Sequence, residues 1–309
     1  MRKHFHVFLL AALLAGAASC SKTENEILLG GGGSSSVLLG GGGSSSDSLT
    51  SQPSGYAARM EVPALKTGNL FIQHSTAVSS SSKDSVMTYC LEFDPDKLHS
   101  RWVAFRFDDR TRGKETSRTD AWADDPSLPA RYQVGTSTFT GYTRGHLCAS
   151  ADRLYSRDAN AQTFYMSNMS PQLYDFNSNY WTSYENLIQK KGRDTGFADT
   201  LYVVKGGTIE DGQTLGTVSR TSGKNVVVPK YYFIALLKCK NNTYESIGFW
   251  VEHKNYGYAQ YSVPSSEMAN HAVTIDRLES LTGIDFFPNL PDAAEKVVEA
   301  SYSLATWGL

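Results

Sequence analysis

A chain of 309 residues with 40% hydrophobic and 12% aromatic side chains holds enough apolar material for one sizeable packed domain, which excludes a disordered polypeptide. Its formal net charge of -2 excludes a globally basic surface, so any polyanionic partner must be met by a local field. Removing Arg2 and Lys3 with an N-terminal leader would make the balance slightly more acidic.

Arg2-Lys3 precedes an apolar run from Val7 to about Leu14, and Ala15-Gly16-Ala17-Ala18-Ser19 leads to Cys20. The run is too short to cross a bilayer and reads as a signal peptide over residues 1–20. Its small residues before Cys20 are similar to a bacterial lipobox, with Ala17 where Leu is more usual. The expectation is an exported lipoprotein, acylated at Cys20 and membrane-anchored in the periplasm or on the cell surface; plain secretion is the alternative. Residues 27–36 are repeated almost letter for letter as 37–46. Such Gly/Ser content reads as a flexible tether over 21–54, which gives an anchored protein reach, or as a slippage repeat without a role. The domain is placed at 55–309, from near Gly55.

Strands are expected near Leu70 to Gln73, Val86 to Phe93 and Trp102 to Phe107 from their β-branched and aromatic content. Lys97, Arg101, Arg106, Arg110, Arg112, Lys114 and Arg118 then offer a local basic field, diluted by Asp94, Asp96, Asp108, Asp109 and Glu115. A mixed solvated surface is the equally good plain reading.

Arg144-Gly145-His146 sets a guanidinium beside an imidazole. Glycine between them permits a sharp turn or close approach to a phosphate. Histidine accepts a proton near neutrality, and a neighbouring Arg tends to keep it neutral, so His146 is a candidate general base. The plainer reading is a surface His–Arg pair. Thr163-Phe164-Tyr165-Met166 reads as a strand, with Pro171 beyond it. Asn177, Trp181 and Glu185 follow at spacings of four, one side of a helix starting near Ser178. A neutral Asn oxygen suits a hard cation, and Glu185 could hold that cation's waters from two turns away. Asn177 could equally cap the helix, Trp181 reads as a core anchor, and Glu185 alone would be a solvated charge.

Further strands are expected at Leu201 to Val204, Val226 to Cys239 and Glu245 to His253, and helices at about Asn179 to Lys190 and Val273 to Leu281, the latter stopped by Gly283. Ala293 to Leu309 reads as a peripheral helix or loose tail. The fold class is therefore α+β, a central antiparallel sheet with packed helices. Cys90, Cys148 and Cys239 leave one thiol over if a disulfide forms. Cys148 stands two residues after His146, but no second Cys or His has zinc-like spacing, so it reads as a buried thiol. His74, His99, His253 and His271 lie in no such motif.

Thr143-Arg144-Gly145-His146, Ser167-Asn168-Met169-Ser170-Pro171-Gln172 and Asn177…Trp181…Glu185 together resemble the DNA/RNA non-specific endonuclease family. That family has a ββα-metal active-site motif with D-R-G-H, S-N-x-[ST]-P-Q and N-x-x-x-W-x-x-x-E patterns. The resemblance runs from about Leu70 to Pro291, through Arg101 to Phe105, Val203 to Gly207, Val227 to Phe233 and Leu278 to Pro288. It implies His146 as general base, Asn177 as direct Mg²⁺ ligand and Glu185 as organiser of metal-bound water. Mn²⁺ is an admissible substitute. Asn168 would fix the loop beside the metal, Arg144 would support the phosphate, and Arg118, in Ser117-Arg118-Thr119-Asp120-Ala121-Trp122, would clamp it, with Arg106, Arg110 and Arg112 as competitors. Thr143 departs from the family's usual Asp; bracing of the loop by its hydroxyl is the favoured account, tuning of the histidine the other.

The activity so implied is metal-assisted hydrolysis of DNA and/or RNA phosphodiesters with little sequence specificity, giving 5'-phosphates. A homodimer is an admissible assembly. A catalytically inactive surface lipoprotein that binds nucleic acid or glycan, supported by Thr143 and the acidic balance, and a small-substrate phosphodiesterase are the alternatives.

Overall fold

The computed structural model describes residues 36–39, 59–78, 84–220 and 223–309, the first segment as backbone only. The leader, Cys20, the boundary near Gly55 and all of the tether except Ser36–Leu39 lie outside the described residues.

Eight strands form one antiparallel sheet: β1 (Ser36–Leu39), β2 (Leu70–Ala77), β3 (Ser85–Asp94), β4 (His99–Phe107), β7 (Thr200–Gly207), β10 (Tyr231–Lys240), β11 (Thr243–Glu252) and β12 (Ala272–Val273), in that spatial order. Side chains alternate across a strand. Ile72, Leu91, Val103, Phe105, Val203, Ile234 and Leu236 therefore share one buried layer, and Phe71, Trp102, Ala104, Val204, Phe233 and Ala235 the other. Both faces are covered. The first carries α2 (Thr182–Arg193) through Tyr184 and Ile188; the second carries α4 (Ile275–Thr282) through Ile275 and Leu278. The α+β architecture expected from the sequence is the one observed.

Three local readings are corrected. The strand read at Val226 to Cys239 is two, β9 (Asn225–Pro229) and β10, because Pro229 has no N–H to continue a ladder. β9 pairs instead with β8 (Thr214–Ser219) in a separate ribbon. Thr163 to Met166 is no strand: α1 (Arg157–Gln162) runs into a turn there and a 3-10 turn spans Met166–Asn168. The strand is β6 (Met169–Gln172), which contains Pro171 rather than ending at it.

The C-terminal segment is docked, not loose. It forms α5 (Asp292–Val298) and α6 (Leu304–Trp307), and Trp307 is fully buried against Phe197 and the main core. Trp307→Ala is expected to cost about 3 kcal/mol or more of unfolding free energy, read by urea denaturation. Helix α4 stops as the sequence indicates, Gly283 taking the left-handed conformation, φ 63°, while Thr274 caps its start by accepting from the Arg277 N–H at 3.1 Å.

Candidate active site

A hairpin, a buried polar floor and one helix converge on the first face of the sheet. β5 (Thr143–His146) pairs antiparallel with β6, Thr143 opposite Gln172 and His146 opposite Met169. Gly145 lies within this ladder. A Cβ there would come within 2.1 Å of Gln172 Oε1, so glycine is required by the Gln172 side chain crossing it, not by a turn.

The motif around Asn168 forms the floor. Asn168 is fully buried; its amide N–H groups donate to the carbonyls of Cys148 (2.9 Å) and Thr163 (2.7 Å), and its Oδ1 accepts from the Cys148 N–H (2.8 Å). Every polar atom of that side chain is spent on tying the end of β5 to the turn after α1. Asn168 therefore positions His146 and is itself too enclosed to reach a substrate. Ser170 Oγ joins the Tyr232 hydroxyl and His99 Nε2 beneath the hairpin.

His146 is packed edge-on against Phe164, ring centroids 5.0 Å apart, and tilted against Trp122 at 5.5 Å. Its Nε2 is buried and has no hydrogen-bond partner among the described residues. Burial first, then the positive charges of Arg118, Lys205 and Arg144, push the imidazole down to about 3. At neutral pH it is an uncharged base with a nitrogen to spare.

The helix bearing Asn177 begins as a π-helical turn over Phe176–Trp181 and continues as α2. Asn177 stands inside that first turn, its N–H bonded to the Leu173 carbonyl at 2.9 Å, so it is not the cap residue considered from the sequence. Its amide Nδ2 donates to Thr143 Oγ1 at 2.9 Å, and that hydroxyl donates in turn to the Gln172 carbonyl at 3.0 Å. Thr143 thus braces the amide and fixes which way it points, leaving Oδ1 as the atom with no hydrogen bond to the described residues. Trp181 is fully buried and stacked on Phe176. Glu185 is no solvated charge: its side chain is 15% exposed and accepts from Lys205 Nζ at 3.3 Å. Burial raises its pKa, while Lys205 opposes that rise. A neutral Asn oxygen, with a carboxylate two turns further along the same helix, is a donor set whose chemistry suits Mg²⁺, which takes only one or two protein ligands.

Arg144 lies flat over Trp122, 3.5 Å from the ring centroid, and donates to the Thr136 carbonyl. Arg118 lies over Phe164 at 4.7 Å and pairs with Asp120 at the surface, so both arginines flank His146. The competitors are committed elsewhere: Arg106 to Asp108, Arg110 to the Ser85 carbonyl, Arg112 to the carbonyls of Ala198 and Asp199. Lys97 pairs with Asp211, and Arg101 donates to the Gly283 carbonyl on the other face. The basic run from Lys97 to Arg118 therefore does not form one field; local carboxylates and carbonyls absorb it.

Three contributors escaped sequence reading. Lys205 is fully buried beside Glu185 and acts on His146; a lysine inside Val203-Val204-Lys205-Gly206-Gly207 was the available signal, because a buried lysine needs a partner. Trp122 carries both Arg144 and His146. Arg220 is buried and donates to the carbonyls of Val134, Gly135, Ser137 and Thr138, stiffening the loop that Arg144 also holds.

Histidines outside the motif act structurally. His253 Nε2 accepts from the Leu173 N–H, the residue that leads into the metal helix, and Nδ1 donates to the Pro229 carbonyl, a pairing only the neutral ring can make. Burial lowers His253 and His99 to about 4 from an ordinary 6.5. With folded values below unfolded ones, the unfolded chain binds the extra protons, so stability is complete above about 6.5 and falls as pH drops towards 4. Melting temperatures measured between pH 7.5 and pH 4 should decline across that window. Cys148 is a free, buried thiol whose pKa burial raises, as read from the sequence.

The sequence model described as DNA/RNA non-specific endonuclease matches residues 67–293. The chain is 29% identical over 225 residues to a nuclease of Nostoc sp., covering 69% of this chain and 75% of that protein. It is 27% identical over 212 residues to human mitochondrial endonuclease G, covering 66% and 68%. Against the mitochondrial nuclease EXOG of Xenopus laevis it is 26% identical over 216 residues and spans 58% of that relative's length. A crystal structure of an EndoG/EndoGI complex shares the fold, with a TM-score of 0.54 and 18% identity over 67% of this chain and 85% of that one. The matched segment contains His146, Asn168, Asn177 and Glu185.

Proposed function

Because the chain belongs to the DNA/RNA non-specific endonuclease family and is thus a nuclease, a hydrolase of nucleic acids, we propose that it cuts internal phosphodiester bonds with His146 as base, leaving 5'-phosphates. The observation that carries this reading is the hairpin–helix junction. There β5 carries an uncharged imidazole at one end, His146, and at the other Thr143, which holds the Asn177 amide and leaves its carbonyl oxygen available.

His146 accepts the proton of the attacking water. Arg144 and Arg118 meet the phosphate: Arg144 is held by Trp122 and the Thr136 carbonyl, Arg118 by its surface partner Asp120 and the Phe164 face. Asn177 Oδ1 would hold Mg²⁺ directly, with Glu185 keeping its waters in place. The ion's charge then offsets that which builds up on the phosphate and the departing 3' oxygen. Lys205 opposes the rise that burial imposes on Glu185 and, after burial and together with the arginines, holds the His146 ring down. Contacts made to phosphates carry little sequence information, which suits both DNA and RNA as substrates.

The leader ending at Cys20 supports export and a membrane anchor. Retention of the full chain in the membrane fraction, and its release on Cys20→Ala, would support this placement.

The first experiment is digestion of circular plasmid by the protein with Mg²⁺ and with excess chelator. Metal-dependent nicking and linearisation are expected. Intact plasmid alongside hydrolysis of a small phosphodiester would move the reading to a small-substrate enzyme.

A further inference from the structure

Asp276 and Glu279 stand at i and i+3 on α4, one turn apart and on one side, over the sheet face opposite the hairpin. Glu299 closes α5, its N–H bonded to the Glu295 carbonyl and its own carbonyl accepting from the Asp276 N–H at 3.2 Å, so the two helices are tied at this point. One carboxylate oxygen from each of the three lies within 4.8 Å of the others, the one such group of His, Cys, Asp or Glu among the described residues. Glu299 is 2% exposed, and its Oε1 has no hydrogen-bond partner among the described residues. Glu279 spends one oxygen on the Phe286 N–H at 2.8 Å.

A buried carboxylate with neither donor nor counter-charge is costly, and here its charged neighbours make matters worse. Those acting on Glu299 are Glu279, Glu295, Asp276 and Asp285, all negative; with burial they push it up to about 9. A single cation meeting all three oxygens would remove the penalty.

We propose that Asp276, Glu279 and Glu299 form a second divalent-cation site, remote from the catalytic hairpin, that binds Ca²⁺ and pins the C-terminal helices to α4. Several carboxylates around one point suit Ca²⁺, which takes six to eight oxygens at about 2.3–2.6 Å. Two ligands across such an ion stand about 4.6–5.2 Å apart. Mg²⁺ keeps most of its water and favours one or two carboxylates. Glu299 lies beyond residue 293, where the family match ends.

The test is thermal melting of the chelator-stripped full chain with and without excess Ca²⁺, for wild type, E299Q, D276N and Asn177→Ala. Ca²⁺ should raise the wild-type melting temperature by several degrees and raise that of Asn177→Ala equally, since the hairpin site is not its source. E299Q and D276N should lose the rise. Metal-free E299Q should melt no lower than metal-free wild type, because a carboxyl held up to about 9 is already uncharged at neutral pH and the amide replaces it like for like, and should cut plasmid in Mg²⁺ at the wild-type rate. A wild-type melting temperature indifferent to Ca²⁺ would overturn the site, as would a rise retained in E299Q and D276N or lost in Asn177→Ala. An equal rise with Mg²⁺ would overturn the assignment to Ca²⁺.

Discussion

His146→Ala is expected to lower plasmid cleavage by about 10²- to 10⁴-fold, the usual worth of a positioned general base. The fold should persist, because the floor beneath the hairpin is tied by Asn168, Ser170 and Tyr232 rather than by the imidazole. Circular dichroism before and after substitution checks this. The pH profile adds an independent reading. Burial and three flanking cations hold the ring down to about 3, so the base form prevails well below neutrality. kcat/KM, which reports the free enzyme, should therefore show no acid limb near 6.5. A variant cutting at the wild-type rate sinks the assignment; an acid limb centred on 6.5 would place the base elsewhere.

Asn177→Ala should have the next largest effect. It removes the carbonyl oxygen assigned to Mg²⁺ together with the bond to Thr143, so half-maximal activity should need much more Mg²⁺ and kcat/KM should fall about 100-fold or more. Stability should change by only about 1 kcal/mol, the net worth of one hydrogen bond, because the side chain caps nothing. Asn177→Asp separates the two losses: it keeps an oxygen for the ion but gives up the amide donor, and should retain more activity than alanine. A large drop in melting temperature with activity intact would make Asn177 structural. Thr143, an unexpected residue at its position, then becomes interpretable. Its hydroxyl is both donor to Gln172 and acceptor for Asn177, so it aims the amide without adding charge beside the metal.

Much of this was legible before any coordinates. His146 beside Arg144, and Asn177, Trp181 and Glu185 at spacings of four, are short-range patterns, and the geometry of one strand or one helix turns them into neighbours. The strands of the main sheet announced themselves through β-branched and aromatic runs, and α4 through Gly283 at its end. What stayed hidden depends on partners distant in the chain. That Gly145 is demanded by Gln172, that Arg118 rather than Arg106, Arg110 or Arg112 faces His146, and that Lys205 answers Glu185 are facts of packing across different elements. The C-terminal tail shows the same division. Its composition allowed a loose end, and only packing against Phe197 and the main core decided that Trp307 is core.

By itself the sequence determined the α+β class, the family and the identity of the base and metal-ligand candidates, because those rest on periodicity and motif spacing carried within single segments. The tertiary structure alone decided the burial of His146 Nε2, the orientation of the Asn177 amide and the gathering of Asp276, Glu279 and Glu299. Each of these arises from burial and through-space electrostatics between groups far apart in the chain, which no local pattern encodes.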